Sequence, residues 1–393
     1  MSFLFGKSTG CFGKSGELGM FGKEECNTGR QMFVDVAKVA AIVFMVADHC
    51  MMYGGADVEH GLALFVDGVL GGGPAAPVFM ACMGIGVAYS RRNDADSLAR
   101  RGLLMLVASY VFNAVRALAY LPLGYFGGNA MYYHQFIYLF LLVDILQFAG
   151  MALLLLALLR KLKFGVNAVL GVSLAMSLAG SLVADEVGWL LKTVHTDIPA
   201  LDAPLSLVVG ITTYGNSFPE IPVACSAFPL LNWFIFVALG LAAGKLLRRC
   251  RDLDRLFAIV TPPALLLFVC NTLWGLGGSR LIHFYASEES FYYLSIIDAL
   301  LVGVPAAVFM LGAGHFVGKL LKGKVAALIQ RTSADLNRIY LIHWVFVMWI
   351  VDVLVHRACD IQMSAFALLL VSFVVLSASA IIVRHKPFSK FKL

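Results

Sequence analysis

Residues 363–383, MSAFALLLVSFVVLSASAIIV, contain no charged side chain, and stretches of the same character recur along the chain. About 20 such residues in a helix rise roughly 30 Å, the thickness of a bilayer's hydrocarbon core. Hydropathy and helix breakers predict helices near 33–53, 64–90, 102–122, 133–159, 164–184, 228–247, 256–276, 293–318, 336–356 and 363–383. Hydrophobic residues make up 60% of the sequence and charged residues only 14%, which excludes a soluble domain of this size. The expected fold class is all-α, a polytopic membrane helix bundle of about ten transmembrane helices. Gly71, Gly72, Gly73 and Pro74 interrupt the second helix, leaving open that it spans only from Ala75.

Charge placement gives an independent reading of topology, because Lys and Arg collect on the cytoplasmic side of a membrane protein. Of the 30 basic residues, all but Lys38, Arg116, Lys192, Arg280 and Arg357 fall on one side of this arrangement, which predicts that both termini are cytoplasmic. The net charge of +6 is therefore a topology signal rather than a sign of nucleic-acid binding. Residues 1–30 read as a polar cytoplasmic tail, expected to be disordered, with Phe-Gly-Lys three times and no signal-peptide core. A single transmembrane domain is expected over 31–393, with one long outer loop at 185–227. That loop carries Trp189, His195, Asp197, Asp202, Tyr214, Asn216 and Glu220, and it reads either as a cover for a polar ligand or as a connector.

The eight cysteines show no CxxC spacing and no His cluster, so no structural metal is expected. Cys50, Cys225 and Cys359 map to the outer side, where an oxidising compartment would permit pairing. Walker, HExxH, GxSxG and dinucleotide motifs are absent in any fitting context.

Ionisable groups inside a membrane span are expensive and mark function by default. The first helix carries four: Asp35, Lys38, Asp48 and His49. Eleven residues separate Lys38 from His49, a rotation of about 1100° that returns His49 to the same face, roughly 16 Å further along the axis. Asp35 lies close to that stripe, whereas Asp48 points about 100° away. An orienting carboxylate for His49 is therefore expected from another helix, with Asp352 and Asp67 at a suitable depth. Elsewhere, Asn113, Arg116, Asp144, Gln147, Asn232, Asp298, His315 and His343 describe a polar interior. Asp144 and Gln147, one turn apart, share a helix face. Each alone reads as an interhelical hydrogen bond, and together they suit a catalytic cavity or a transport path.

DVAKVAAIVFMVADH, residues 35–49, resembles the first helix of the acyltransferase-3-like membrane enzymes. Its Lys38 and terminal Asp-His are closer to TraX, the family associated with pilin acetylation. APVFMACMGIGVAYSRR (76–92), DILQFAGMALLLL (144–156) and FPLLNWFIFVALGLAAGKLL (228–247) resemble the branch related to heparan-alpha-glucosaminide N-acetyltransferase. RTSADLNRIYLIHW (331–344) is similar to the penultimate helix across the superfamily.

The resemblance implies transfer of an acyl group from acetyl-CoA or another acyl-CoA, with His49 as catalytic residue and no metal. His49 would deprotonate the acceptor directly, or form an acyl-histidine. Asp48 and Asp352 are the expected supporting carboxylates. Lys38, Asp35, Arg91, Arg92 and Arg101 are expected around the donor, and Asp67, Arg116, Asp144, Asp298 and His343 around the acceptor. The expected partners are membrane lipid, acyl-CoA and an extracytoplasmic sugar or amine; a homodimer is an option, and nucleic acid is not expected. The expected location is the cell (inner) membrane. A secondary transporter of a small polar solute is the alternative reading, although no internal repeat supports it.

Overall fold

The computed structural model describes residues 19–184, 193–195, 198–215, 218–285 and 291–385. All ten expected segments are helical, and the fourth is split. The order is α1 (Met32–Tyr53), α2 (Gly61–Tyr89), α3 (Ala95–Gly127), α4 (Met131–Leu141), α5 (Ile145–Lys161) and α6 (Val166–Ala184). The outer segment follows with β1 (Thr193–His195), α7 (Pro199–Val208), β2 (Thr212–Gly215) and β3 (Phe218–Ala224). Then come α8 (Leu230–Arg249), α9 (Leu253–Leu276), α10 (Ile296–Leu320), α11 (Gly323–Ala334), α12 (Leu336–Ala358) and α13 (Ala365–Arg384). Among the described residues, seven of these helices are long and apolar enough to cross a membrane. The chain is a multi-pass helical membrane protein. Among the described residues three short strands form one small sheet, β1 parallel to β2 and β2 antiparallel to β3.

Helix α1 is central, packed against α2, α10, α11, α12 and α13. This placement explains how one span tolerates four ionisable groups: protein rather than lipid surrounds them. Helices α9 and α13 are peripheral, and Leu266, Leu273, Phe373 and Val374 on them are exposed, the side a bilayer would cover. Close crossings depend on small residues. A Cβ at Gly84 would meet the backbone of Val237 and Leu241, and one at Gly240 would meet the backbone of Ala81, so α2 and α8 touch main chain to main chain.

The Gly-rich stretch of α2 continues as a π-helical run, Phe65–Ala75, rather than leaving the helix. Gly71 lies against the Asp48 carboxyl, Gly72 against Phe284, and Gly73 against Phe268 and Tyr285. Four side chains from elsewhere in the chain fill the space that Cβ atoms would take.

The break in the fourth segment falls at 142–144. Val143 bridges to Ser226, with Val143 N–H donating to Cys225 O at 3.0 Å and Ala227 N–H to Val143 O at 2.9 Å. The carbonyls of Phe140 and Leu142, left open by the break, accept from Asn113 Nδ2 at 3.0 and 2.8 Å. Asp144 caps α5 in a reciprocal box with Gln147, which is the actual meaning of their one-turn spacing.

The N-terminal tail is docked where it is described. Gly22, Cys26 and Asn27 donate backbone N–H groups to Arg249 O and Arg248 O at 2.7–3.0 Å. They satisfy carbonyls that the end of α8 leaves unpaired, so this segment is ordered despite its composition. No disulfide joins Cys50, Cys225 and Cys359; the Cys225 thiol instead hydrogen-bonds Tyr138 Oη at 3.4 Å.

Candidate functional site

His49 and His343 meet in the middle of the bundle. His49 Nδ1 lies 2.9 Å from His343 Nε2, and the two rings are within 9° of parallel. His49 sits four residues before the end of α1 and His343 in the third turn of α12. Trp344 packs on His49 with ring centroids 3.9 Å apart, and Tyr53 meets the same indole edge-on at 5.5 Å. Arg116 flanks Trp344 with its guanidinium carbon 5.0 Å from the ring centroid. Arg116 Nη1 donates to Asp144 Oδ2 at 2.9 Å, both side chains buried. The helix break therefore delivers Asp144 to Arg116 on α3, beside the Trp344 ring that packs on His49.

Helical geometry separates Asp48 from His49 but does not isolate them. Asp48 Oδ2 lies 3.9 Å from His49 Nε2, an electrostatic contact too long for a hydrogen bond. The Asp67 carboxyl of α2 lies within hydrogen-bonding reach of Asp48. The expectation that Asp352 orients His49 is not met. Asp352 accepts from Arg357 Nε at 2.8 Å and from the Tyr120 hydroxyl, and His49 takes a second imidazole as its partner instead. Asp298 is likewise committed elsewhere: its carboxylate accepts from His283 N–H at 3.0 Å, Phe284 N–H at 3.2 Å and Ser295 Oγ at 2.7 Å. It organises a turn rather than facing the histidines.

At the opposite end of α1 a cavity of about 260 Å³ is lined by Arg30, Asp35, Lys38, Tyr89 and Ser333, among others. Asp35 is held by Arg30, with Nε to Oδ2 at 2.6 Å and Nη2 to Oδ1 at 3.0 Å, and by Ser333 Oγ at 2.6 Å. It positions Arg30 and has little capacity left for a ligand. Arg91, Arg92 and Arg101 are exposed and lie outside this lining. Because α1 is unbroken, Lys38 and His49 are separated by roughly 16 Å along one helix.

Trp189, Asp197 and Asn216 fall outside the described residues, and only the backbone of His195 and Glu220 is described. Asp202 is buried and Tyr214 half-buried in the outer segment, which is tied to the bundle by a 2.8 Å contact between Thr212 Oγ1 and Tyr293 Oη. Among the described residues no group of three or more His, Cys, Asp or Glu side chains could hold a metal ion. Sequence reasoning passed over Trp344, Arg30 and Ser333. The only local signal for Trp344 was its place directly after His343.

The fold and the imidazole pair define a multi-pass helical membrane protein with ionisable side chains packed together in its interior. Comparison with protein families then gives the particular class: an acyltransferase-domain model of the acyltransferase-3 group matches residues 32–384. The chain belongs to this family and is a membrane acyltransferase. No curated protein matches it.

Proposed function

We propose that this enzyme moves an acyl group, probed first as acetyl, from cytosolic acyl-CoA to a hydroxyl or amine of an extracytoplasmic acceptor, a glycan, with His49 as general base. The observation that carries this reading is the 2.9 Å contact between His49 Nδ1 and His343 Nε2. In the tautomer with the proton on His49 Nδ1, that contact is a donated hydrogen bond and Nε2 keeps its lone pair for the acceptor's proton. When Nε2 becomes protonated, His343 still accepts from Nδ1, and the Asp48 carboxyl 3.9 Å away offsets the new charge.

Two further observations support the direction of transfer. Lys38 and Arg30 line the cavity at the basic end, and such cations would suit the phosphates of CoA arriving from the cytoplasm. The rise from Lys38 to His49, roughly 16 Å, is on the order of a pantetheine arm. The likeness of residues 76–92, 144–156 and 228–247 to the heparan-acetyltransferase branch supports a sugar acceptor. The TraX-like first helix leaves an amine or hydroxyl open.

The test is label transfer from radioactive acetyl-CoA to a panel of amino sugars by the purified protein in nanodiscs. Wild type is expected to label at least one acceptor or to hydrolyse the thioester slowly, and His49→Ala to lose this by about 10²- to 10⁴-fold. Equal behaviour of the two proteins would overturn the reading.

A further inference from the structure

Arg116 is fully buried and incompletely used. Asp144 takes its Nη1, while Nε and Nη2 are buried with no hydrogen-bond partner among the described residues. A guanidinium carries five donors in one plane, and leaving two sides of it open in apolar surroundings is costly unless a ligand supplies acceptors. Gln147 Nε2, on the turn capped by Asp144, is buried and unpartnered as well. The open donors lie one indole ring from the histidine pair, because Trp344 packs on His49 at 3.9 Å and under Arg116 at 5.0 Å.

Asp144 decides what kind of acceptor fits. It already neutralises Arg116, so a permanent anion such as a carboxylate would meet an ion pair, not a bare cation. A carbonyl oxygen, neutral when bound and negative during reaction, matches a neutralised guanidinium whose Nε and Nη2 are open to donate.

We propose that Arg116 receives the acyl carbonyl oxygen of the thioester on Nε and Nη2 and holds the oxyanion formed on attack, an assignment that rests on the acyl-transfer reading above. The acceptor's lone pair forms the new bond to the carbonyl carbon as its proton passes to His49 Nε2. The C=O π pair moves onto the oxygen held by Arg116. Collapse restores the carbonyl and breaks the C–S bond, and the departing CoA thiolate takes the proton back from His49.

The experiment uses two unreactive donor analogues on the full-length protein in nanodiscs: S-acetonyl-CoA, which keeps a carbonyl, and S-propyl-CoA, which lacks it. Wild type and His49→Ala are expected to bind the ketone about tenfold or more tighter, the scale of a lost hydrogen bond to a charged group. Arg116→Gln and Arg116→Lys are expected to bind both analogues alike. Arg116→Lys keeps a cation beside Asp144, so it remains informative if Arg116→Gln does not fold. A preference for the ketone surviving in Arg116→Lys, or no preference in wild type, overturns the assignment while leaving acyl-CoA as donor. Failure of wild type to bind either analogue would instead remove the acyl-CoA reading, and this assignment with it.

Discussion

Arg30 grips Asp35 through both carboxylate oxygens, and Ser333 from α11 donates to the same group at 2.6 Å. The contact fastens Arg30, the first turn of α1 and helix α11 to one buried carboxylate. Ser333→Ala is expected to lower stability by about 1.5–3 kcal/mol, the range for a hydrogen bond to a charged partner. Thermal unfolding in detergent measures it, and an unchanged midpoint would show that the contact contributes nothing.

Lys38 lines the same cavity and, unlike Asp35, has no hydrogen-bond or ion-pair partner among the described residues. Lys38→Ala is expected to raise KM for acyl-CoA several-fold with kcat nearly constant, since a phosphate contact made equally in ground and transition states affects binding alone. Lys38→Arg should retain most of the affinity. A fall in kcat with unchanged KM would place Lys38 in the chemistry instead.

His49 and His343 act as a unit in the proposed reaction. His343→Ala is expected to reduce turnover by about 10- to 100-fold, less than His49→Ala, because it holds the base and does not take the acceptor's proton. The double variant should then be no slower than His49→Ala. Losses that multiply in the double variant would mean the two imidazoles work separately.

Gly71 leaves room for the Asp48 carboxyl beside His49. Gly71→Ala forces that carboxyl to move and is expected to cost about 1–3 kcal/mol of stability, as overpacking does. It should also lower turnover, as the charge nearest His49 Nε2 is displaced. Full activity in Gly71→Ala would show that the Asp48 position is unimportant.

Asp298 faces a turn, so Asp298→Ala is expected to destabilise the protein by about 1–3 kcal/mol through the unpaired N–H groups of His283 and Phe284. The KM for the acceptor should not change. A raised acceptor KM at constant stability would return Asp298 to the substrate site.

The helices were readable because spanning length and apolar content are local properties of a segment. The break at Leu142–Asp144 was not, since Leu142 and Val143 continue the apolar run and the cap hides in a spacing that equally describes one face of a continuous helix. Asp144 followed by Gln147 at the third position is the capping-box signature. It went unread because the flanking residues are uniformly hydrophobic. The partner of His49 was out of reach for a different reason: it lies 294 residues away, and depth alone could not favour an imidazole over the carboxylates of Asp352 or Asp67.

The same separation orders events in the life of the chain. Helix α1 enters the membrane first with His49 in place, yet its partner arrives only when α12, the penultimate span, has been inserted. A nascent or truncated chain thus holds half of the pair and none of its geometry.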